Sequence, residues 1–518
     1  MLHLLAQSGD TPVRQLDTPT VAWTALAPVL VLIGGAVLLM VVASLLPRRS
    51  RVGWHAIATV AIAVGAIAAV VPQWNRVHDD GAFSVVANSV GVDGFSLFVT
   101  VVICASVVIA ALLTDGYLRR EDLEGAEAYV LMLLSASGGV IMASANDLIV
   151  MFIGLEILSI AVYILAGMHL RRVRSGEAAM KYFVLGAFSS AFFLYGVAMV
   201  YGATGSTNLV KIANFLATTT LSDSGLLLAG FALLLVGFGF KVAAVPFHSW
   251  APDVYQGSPS PIVSYMASGV KAAGFAGLLR VFVVTFGGYR LDWQPIVYWI
   301  AVATLLVGAV LAVVQTDVKR MLAYSSINHA GFILVGVQAA SARGVSSALF
   351  YLATYTFMVG GAFGIVTIVG RRGDGHHELD DYQGLARRQP VLAGCFALFL
   401  LAQAGTPFTS GFLAKFYVIN AAVQARSFWL ALAAMVSAVI SAFLYLRIVL
   451  TMYTPARDVD GLDVEVEPTS AGARLRVPAA AAIALVLAVV ATVGIGLVPE
   501  PLSRTARDAT PELVVSDD

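Results

Sequence analysis

Long apolar runs alternate with short polar, basic or proline-bearing connections, and a helical bilayer crossing needs about 20 mostly apolar residues. Windows of that size predict helices near 20–46, 54–72, 94–114, 127–145, 148–168, 179–203 and 225–246. They continue near 260–285, 295–316, 320–341, 345–370, 391–421, 427–453 and 477–499, fourteen spans in all. The runs are continuous and not alternating, which excludes a membrane barrel and makes the fold class all-α integral membrane. The first 19 residues are polar, with Pro12 and Pro19, and do not form a signal peptide.

Basic residues in the connections set the orientation. Seventeen, from Arg48 to Arg476, fall on one side, and eight, from Arg14 to Arg507, on the other. The richer side is expected to be cytoplasmic, so both termini face away from it.

Spans four to eight occupy 126–290 and spans nine to thirteen occupy 291–455. Before them lie an N-terminal tail and three helices (1–125); after them come a cytoplasmic linker, the last helix and a tail (456–518). The fourth span of each five-helix set is flawed. In the first, 225–246 runs into Pro246, with Pro252, Pro259 and Pro261 close behind. In the second, 391–421 is interrupted by Gly405-Thr406-Pro407 and then Gly411. Proline removes a helix hydrogen bond and clashes with the preceding turn, so both spans are expected to break. Five is odd, so the two sets are inverted in the membrane. Matched breaks in inverted repeats point to a transport site, although Pro and Gly are common in membrane helices generally.

Composition agrees: 59% of the residues are hydrophobic and 12% charged, with mean hydropathy +0.86, against about 25% charged in soluble domains. A soluble enzyme is excluded. Thirty-one basic residues balance 31 acidic ones, which excludes a nucleic-acid binder. Cys104 and Cys395 have no metal-ligand spacing around them, and no dinucleotide, P-loop or haem motif is present, so no redox centre is read in this chain. His376 and His377, near Glu378, Asp380 and Asp381, read as a solvated loop, because adjacent histidines cannot readily share one metal.

Glu156, Lys241, Lys271 and Lys415 lie deep in apolar spans. At about 2.5–3.5 kcal/mol each, they cost about 10 kcal/mol together on insertion scales. At that depth snorkelling is difficult, and three lysines with one glutamate do not pair off. Lys181 sits near the start of its span, where snorkelling is an equal alternative. His248 and His329 are, on spacing alone, ordinary hydrogen-bonded helix-end histidines. Trp250, Tyr255, Trp293, Tyr298 and Trp299 read as interfacial belt residues, and Gly269–Gly277 and Gly360–Gly364 as close helix packing. A buried lysine that is charged beside a partner and neutral without it is a proton switch; a row of them linked by water is a proton path.

Three stretches then carry a resemblance: PFHSWAPDVYQGSPSPIVSYMASGVKAAGF (Pro246–Phe275), VKRMLAYSSINHAGF (Val318–Phe332) and AGTPFTSGFLAKFYV (Ala404–Val418). They resemble the antiporter-like membrane subunits of respiratory complex I, the proton-pumping NADH:quinone oxidoreductase, over about 90–455. DVYQGSP, and lysine in the broken twelfth span, are similar to the N branch of that family and not to M. The chain ends without the lateral helix of L. The resemblance implies two inverted five-helix repeats, each with a broken helix, and proton transfer by Glu156, Lys181, Lys241, Lys271 and Lys415. It implies Glu156 and Lys241 as a charge pair and raises His248 and His329 as possible relays. It places NADH, FMN, iron–sulfur clusters and quinone in partner subunits, with no cofactor in this chain. Expected partners are membrane lipid and the other membrane-arm subunits of a bacterial plasma-membrane complex, including M, L and small helical ones. The alternatives are a subunit of a multi-subunit cation/proton antiporter, a stand-alone secondary transporter, which Thr406, Thr409 and Ser410 support only thinly, and a structural spacer.

Overall fold

The computed structural model describes residues 21–46, 53–123, 125–221, 223–455 and 476–510. The segment 1–19 and nearly all of the linker after the thirteenth predicted span lie outside the described residues. Helices follow the apolar runs: α1 (Ala27–Leu45), α2 (Trp54–Asp80), α3 (Gly94–Glu121), α4 (Glu127–Ser144), α5 (Leu148–Ala166) and α6 (Val173–Thr204). Between α2 and α3 lies an antiparallel hairpin, β1 (Phe83–Val85) and β2 (Val90–Val92), which pairs Phe83 with Val92. An all-α reading passes over it because three-residue strands give no periodic signal.

After the short amphipathic α7 (Leu209–Thr218) comes the first flawed span. It is broken as expected, into α8 (Gly225–Val242) and α9 (Trp250–Gly257). The eighth span is one helical run, Ser260–Thr285, made of α10 (Ser260–Tyr265), a π-helical stretch at 266–270, α11 (Lys271–Leu278) and a second π stretch at 279–285. Next are α12 (Arg290–Val313), α13 (Val318–Gln338), α14 (Ala342–Val369) and the four-residue α15 (Leu385–Arg388). The second flawed span divides into α16 (Pro390–Ala404) and α17 (Ser410–Gln424). The described chain closes with α18 (Phe428–Tyr453), α19 (Ala479–Leu497) and α20 (Glu500–Asp508).

Among the described residues, twelve helices are long and apolar enough to cross a membrane. The fourteen expected include two more: α13, with Lys319, Arg320, Asn328 and His329 in its 21 residues, and the α16/α17 pair, split into 15-residue halves. Burial sorts the helices. In an apolar 18-residue stretch of each, 89%, 94% and 83% of the residues are buried in Ser260–Thr285, α14 and α3, against 28% in α1 and α19 and 33% in α6. The outer helices turn large apolar side chains outward, among them Phe183 and Phe188 of α6 and Val439 of α18.

Glycines permit the close contacts. A Cβ on Gly361 would collide with the ring of Phe399, one on Gly277 with Met142 and Phe238, and one on Gly269 with Ser106. Both small-residue runs therefore pack as expected. Gly496 of α19 lies against the backbone at Phe408 and Thr409, inside the α16/α17 break. The belt reading needs correction: Trp250, Tyr255 and Trp293 are buried at 3%, 1% and 0% exposure, and only Trp299 faces outward strongly, at 69%. Each buried ring has packing partners, and the indoles of Trp250 and Trp293 donate to the carbonyls of Phe240 and Phe286.

One buried ion pair ties the hairpin end to the core. Asp93 caps α3, its carboxylate accepting from Ser96 N at 2.9 Å, and the same oxygen takes Arg280 Nη2 at 2.8 Å. Arg280 also donates to Ala143 O at 3.0 Å. Arg280, near the end of the eighth span, is thus a buried charge of the bundle end and was not singled out from sequence. Removing one partner strands the other in an apolar interior, so Arg280→Ala is expected to cost about 3–5 kcal/mol. A lowered thermal unfolding midpoint in detergent checks this.

Candidate functional site

The two breaks position the deep lysines. Helix α8 ends where Ala243 adopts a left-handed conformation and Ala244 N returns to Gly239 O. Lys241 lies just inside that end, 4% exposed. Its Nζ donates to Ser159 Oγ at 2.7 Å and sits 5.7 and 5.8 Å from the ring centres of Tyr163 and Tyr182. Ser159 is three residues from Glu156 on α5, so they share a helix face. Glu156 Oε1 is buried without a hydrogen-bond partner. Among the described residues no ion pair within 4.0 Å joins Glu156 to Lys241, so a direct charge pair is not formed and Ser159 stands where the contact was expected.

Lys271 comes next. Gly274, three residues on, lies against the stem of Lys241, with an added Cβ 3.3 Å from Lys241 Cγ. The break of α8 and the middle of the eighth span thus meet. Lys271 is 2% exposed, and its Nζ donates to the carbonyl and hydroxyl of Ser326 at 2.6 and 2.5 Å.

From Ser326 the polar contacts run on to the second break. Neighbouring Ser325 contacts Gln403 Oε1 at 3.3 Å and Tyr445 OH at 2.6 Å. Gln403 precedes Ala404, whose carbonyl accepts from Lys415 Nζ at 2.9 Å. The break explains this bond. In an unbroken helix the N–H four residues on would take that carbonyl. Here Gly405, at φ +95°, turns the chain away and the lysine takes the place of the missing donor. A Cβ at Gly405 would also stand 3.2 Å from Lys415 Cδ.

His329 is fully buried beside this line. Its Nδ1 pairs with Tyr351 OH at 2.6 Å and its Nε2 with Tyr445 OH at 3.1 Å, and Tyr445 is shared with Ser325. His248 lies half-buried in the first break, and no hydrogen bond or ion pair joins it to the lysines among the described residues. Lys181 is also set apart. It is exposed at the bundle margin, bound to Asp253 and Glu177 at 2.8 Å each, and Arg320 takes the other Asp253 oxygen at 2.7 Å. The structure thus gathers Glu156, Lys241, Lys271, Lys415 and His329 and leaves Lys181 and His248 outside. Ser159, Ser325, Ser326, Gln403 and Tyr445 were not singled out from sequence. The serines had a signal, standing within three residues of Glu156 or inside the quoted YSSINHAGF run; Gln403 and Tyr445 had only their polarity within apolar runs.

A second polar centre lies at the end of the bundle where α13 starts. Asp374, fully buried, accepts from Arg172 at 3.0 Å, Lys319 at 3.2 Å, Ser260 at 3.0 Å and His377 Nε2 at 2.8 Å. Beside it, Glu121 accepts from Gly373 N at 2.7 Å and contacts His169 Nε2 at 3.4 Å. His376 is exposed, as a solvated loop requires, but His377 is 4% exposed and faces inward, which corrects that reading for it. No group of three or more metal-ligating side chains occurs among the described residues.

The model for the family described as NADH:quinone oxidoreductase/Mrp antiporter, TM, matches residues 145–441. A relative from Parafrankia sp., NADH-quinone oxidoreductase subunit N, is 41% identical over 96% of each chain. A subunit N from Roseiflexus castenholzii is 44% identical over 87% of this chain and 92% of its own. A chain of respiratory complex I from Thermus thermophilus superposes with TM-score 0.75 at 32% identity, covering 92% of this chain and 98% of that one. A chain of the Mrp complex from Dietzia sp. shares the fold, with TM-score 0.80 at 23% identity over 94% and 97% of the two chains.

Burial raises the pKa of Asp374, but the charges of Lys319, His377 and Arg172 outweigh it and hold the carboxyl well below the usual range. A carboxyl depressed in the folded state contributes stability above its unfolded pKa, lost only as pH falls through the folded value. Acidification from pH 7 to about 5 should therefore leave this contribution intact, whereas Asp374→Ala should cost about 3–5 kcal/mol by stranding Lys319. Thermal unfolding of both proteins across that pH range checks the two statements.

Proposed function

The chain belongs to the NADH-quinone oxidoreductase subunit N family, and we propose that it carries protons across the membrane within such a complex, driven by quinone reduction in partner subunits. One observation supports the reading above the rest: Lys271 bonds Ser326, the adjacent Ser325 bonds Gln403, and the adjacent Ala404 carbonyl holds Lys415, so closely spaced polar groups lead from one lysine to the other. A transferred proton needs acceptors within hydrogen-bond reach or one water apart, and this line supplies them inside an apolar bundle.

In this reading Glu156 and Lys241 respond to a neighbouring subunit through Ser159, Lys271 relays the proton, and Lys415 exchanges it at the second break. His329, between two tyrosine hydroxyls, buffers the line. Lys181, with Asp253, handles charge at the margin, and His248 serves the first break. NADH, FMN, iron–sulfur clusters and quinone belong to partner chains, which include the antiporter-like M and L subunits. Fourteen crossings divide into a tail and three helices (1–125), two inverted five-helix repeats (126–290 and 291–455) and the last helix with its flanks (456–518). The basic loops lie in the bacterial cytoplasm and both termini on the opposite side.

A cation/proton antiporter subunit is the second reading, supported by the fold shared with the Mrp chain. Co-purification with NADH dehydrogenase activity separates the two. In inside-out vesicles, Lys241→Ala, Lys271→Ala and Lys415→Ala are each expected to lower NADH-driven proton pumping at least about tenfold in assembled complex. Wild-type pumping by both Lys241→Ala and Glu156→Ala would sink the proposal.

A further inference from the structure

We propose that His377, held by Asp374, loads protons at the basic-loop end of the bundle, and that the hydroxyls of Ser260, Ser264 and Ser268 pass them to Lys271. The inference rests on the proton-translocating role proposed above and adds an entry site to it.

The loop after α14 folds inward, and Asp374 carries four donors on its two oxygens. Its carboxylate is fully occupied as an acceptor. A carboxylate bound to one imidazole nitrogen fixes the ring and stabilises its charged form, leaving the other nitrogen to exchange the proton. The other nitrogen of His377, Nδ1, is buried with no hydrogen-bond partner. Water lies close at hand, because the adjacent His376 side chain is 51% exposed. The fixed charges around Asp374 are Arg172 before α6, Lys319 and Asp317 at the start of α13, and Glu121 of α3, reached through Gly373. Tyr117 of α3 and Tyr382, just before α15, also lie within electrostatic reach of Asp374.

Ser260 touches Asp374 and opens the helix that bears Lys271. Ser264 and Ser268 follow at spacings of four residues, about 6 Å along the axis, a gap that a single water bridges. Ser268 bonds Ser106 at 2.5 Å, and Lys271 comes three residues later, after the π-helical stretch. The middle hydroxyl is the informative one. Ser264 is 1% exposed, and its Oγ has no hydrogen-bond partner. A buried hydroxyl without a partner is a cost to the fold, so its presence on this face calls for another use.

Ser264→Ala removes no hydrogen bond, so assembly should be unchanged. Its pumping per assembled complex, in inside-out vesicles supplied with NADH, should fall about tenfold. His377→Gln should pump at a similarly reduced rate and with an altered pH profile. Wild-type pumping by Ser264→Ala overturns the hydroxyl line, and an unchanged pH profile in His377→Gln overturns the loading site. If His377→Gln fails to assemble, Ser264→Ala decides. Lys271→Ala runs alongside: normal pumping by that variant refutes the underlying function, whereas reduced pumping with Ser264→Ala at the wild-type rate refutes only this entry route.

Discussion

An apolar surround makes every unpaired polar group costly, and this constraint shapes both the fold and the site. Every uninterrupted helix meets it with its own backbone bonds. The two interrupted spans cannot, and each recruits a side chain. At the second break Lys415 takes the Ala404 carbonyl; at the first, the Trp250 indole takes the Phe240 carbonyl, and Thr304 accepts from Val245 N at 3.0 Å. The interruptions therefore create unpaired backbone acceptors at bilayer depth, which is where a cationic side chain can be held without a carboxylate.

The ionisable groups divide into two kinds. At the ends of the bundle, carboxylates and cations meet directly: Asp93 with Arg280 on one side, and Asp374 with Arg172 and Lys319 on the other. These pairs fix charge in place. In the middle, Lys241, Lys271 and Lys415 bind hydroxyls and carbonyls only. A lysine held by neutral acceptors can change charge with less penalty than one locked to a carboxylate, because no opposite charge is left stranded. Fixed ion pairs at the ends and lysines on neutral acceptors in the middle fit a protein whose frame must stay while protons pass through it.

Much of this was legible in the sequence. Apolar runs gave the helices, because a bilayer crossing leaves so few solutions, and Pro246 and Gly405-Thr406-Pro407 marked both breaks. Lys241, Lys271, Lys415 and Glu156 stood out because charge at that depth is costly. What failed was whatever depends on which face of a helix is covered. Trp250 and Trp293 read as belt residues because composition cannot distinguish burial against protein from burial against lipid. His377 read as solvated because its partners, Arg172, Ser260 and Lys319, are distant in sequence. Lys181, for which snorkelling was an equal alternative, lies at the margin with Asp253, 72 residues away. The hairpin was too short to show a period of two.

The contact of Gly496 with Phe408 and Thr409 carries a mechanical consequence. Helix α19 is wedged into the gap in the twelfth span, backbone against backbone, with no side chain to cushion the fit. A push on α19 from outside therefore reaches the lysine-bearing joint as displacement, undiluted by rotamer slack. A helix that contributes no ionisable group to the interior thus sets the spacing at the lysine-bearing joint.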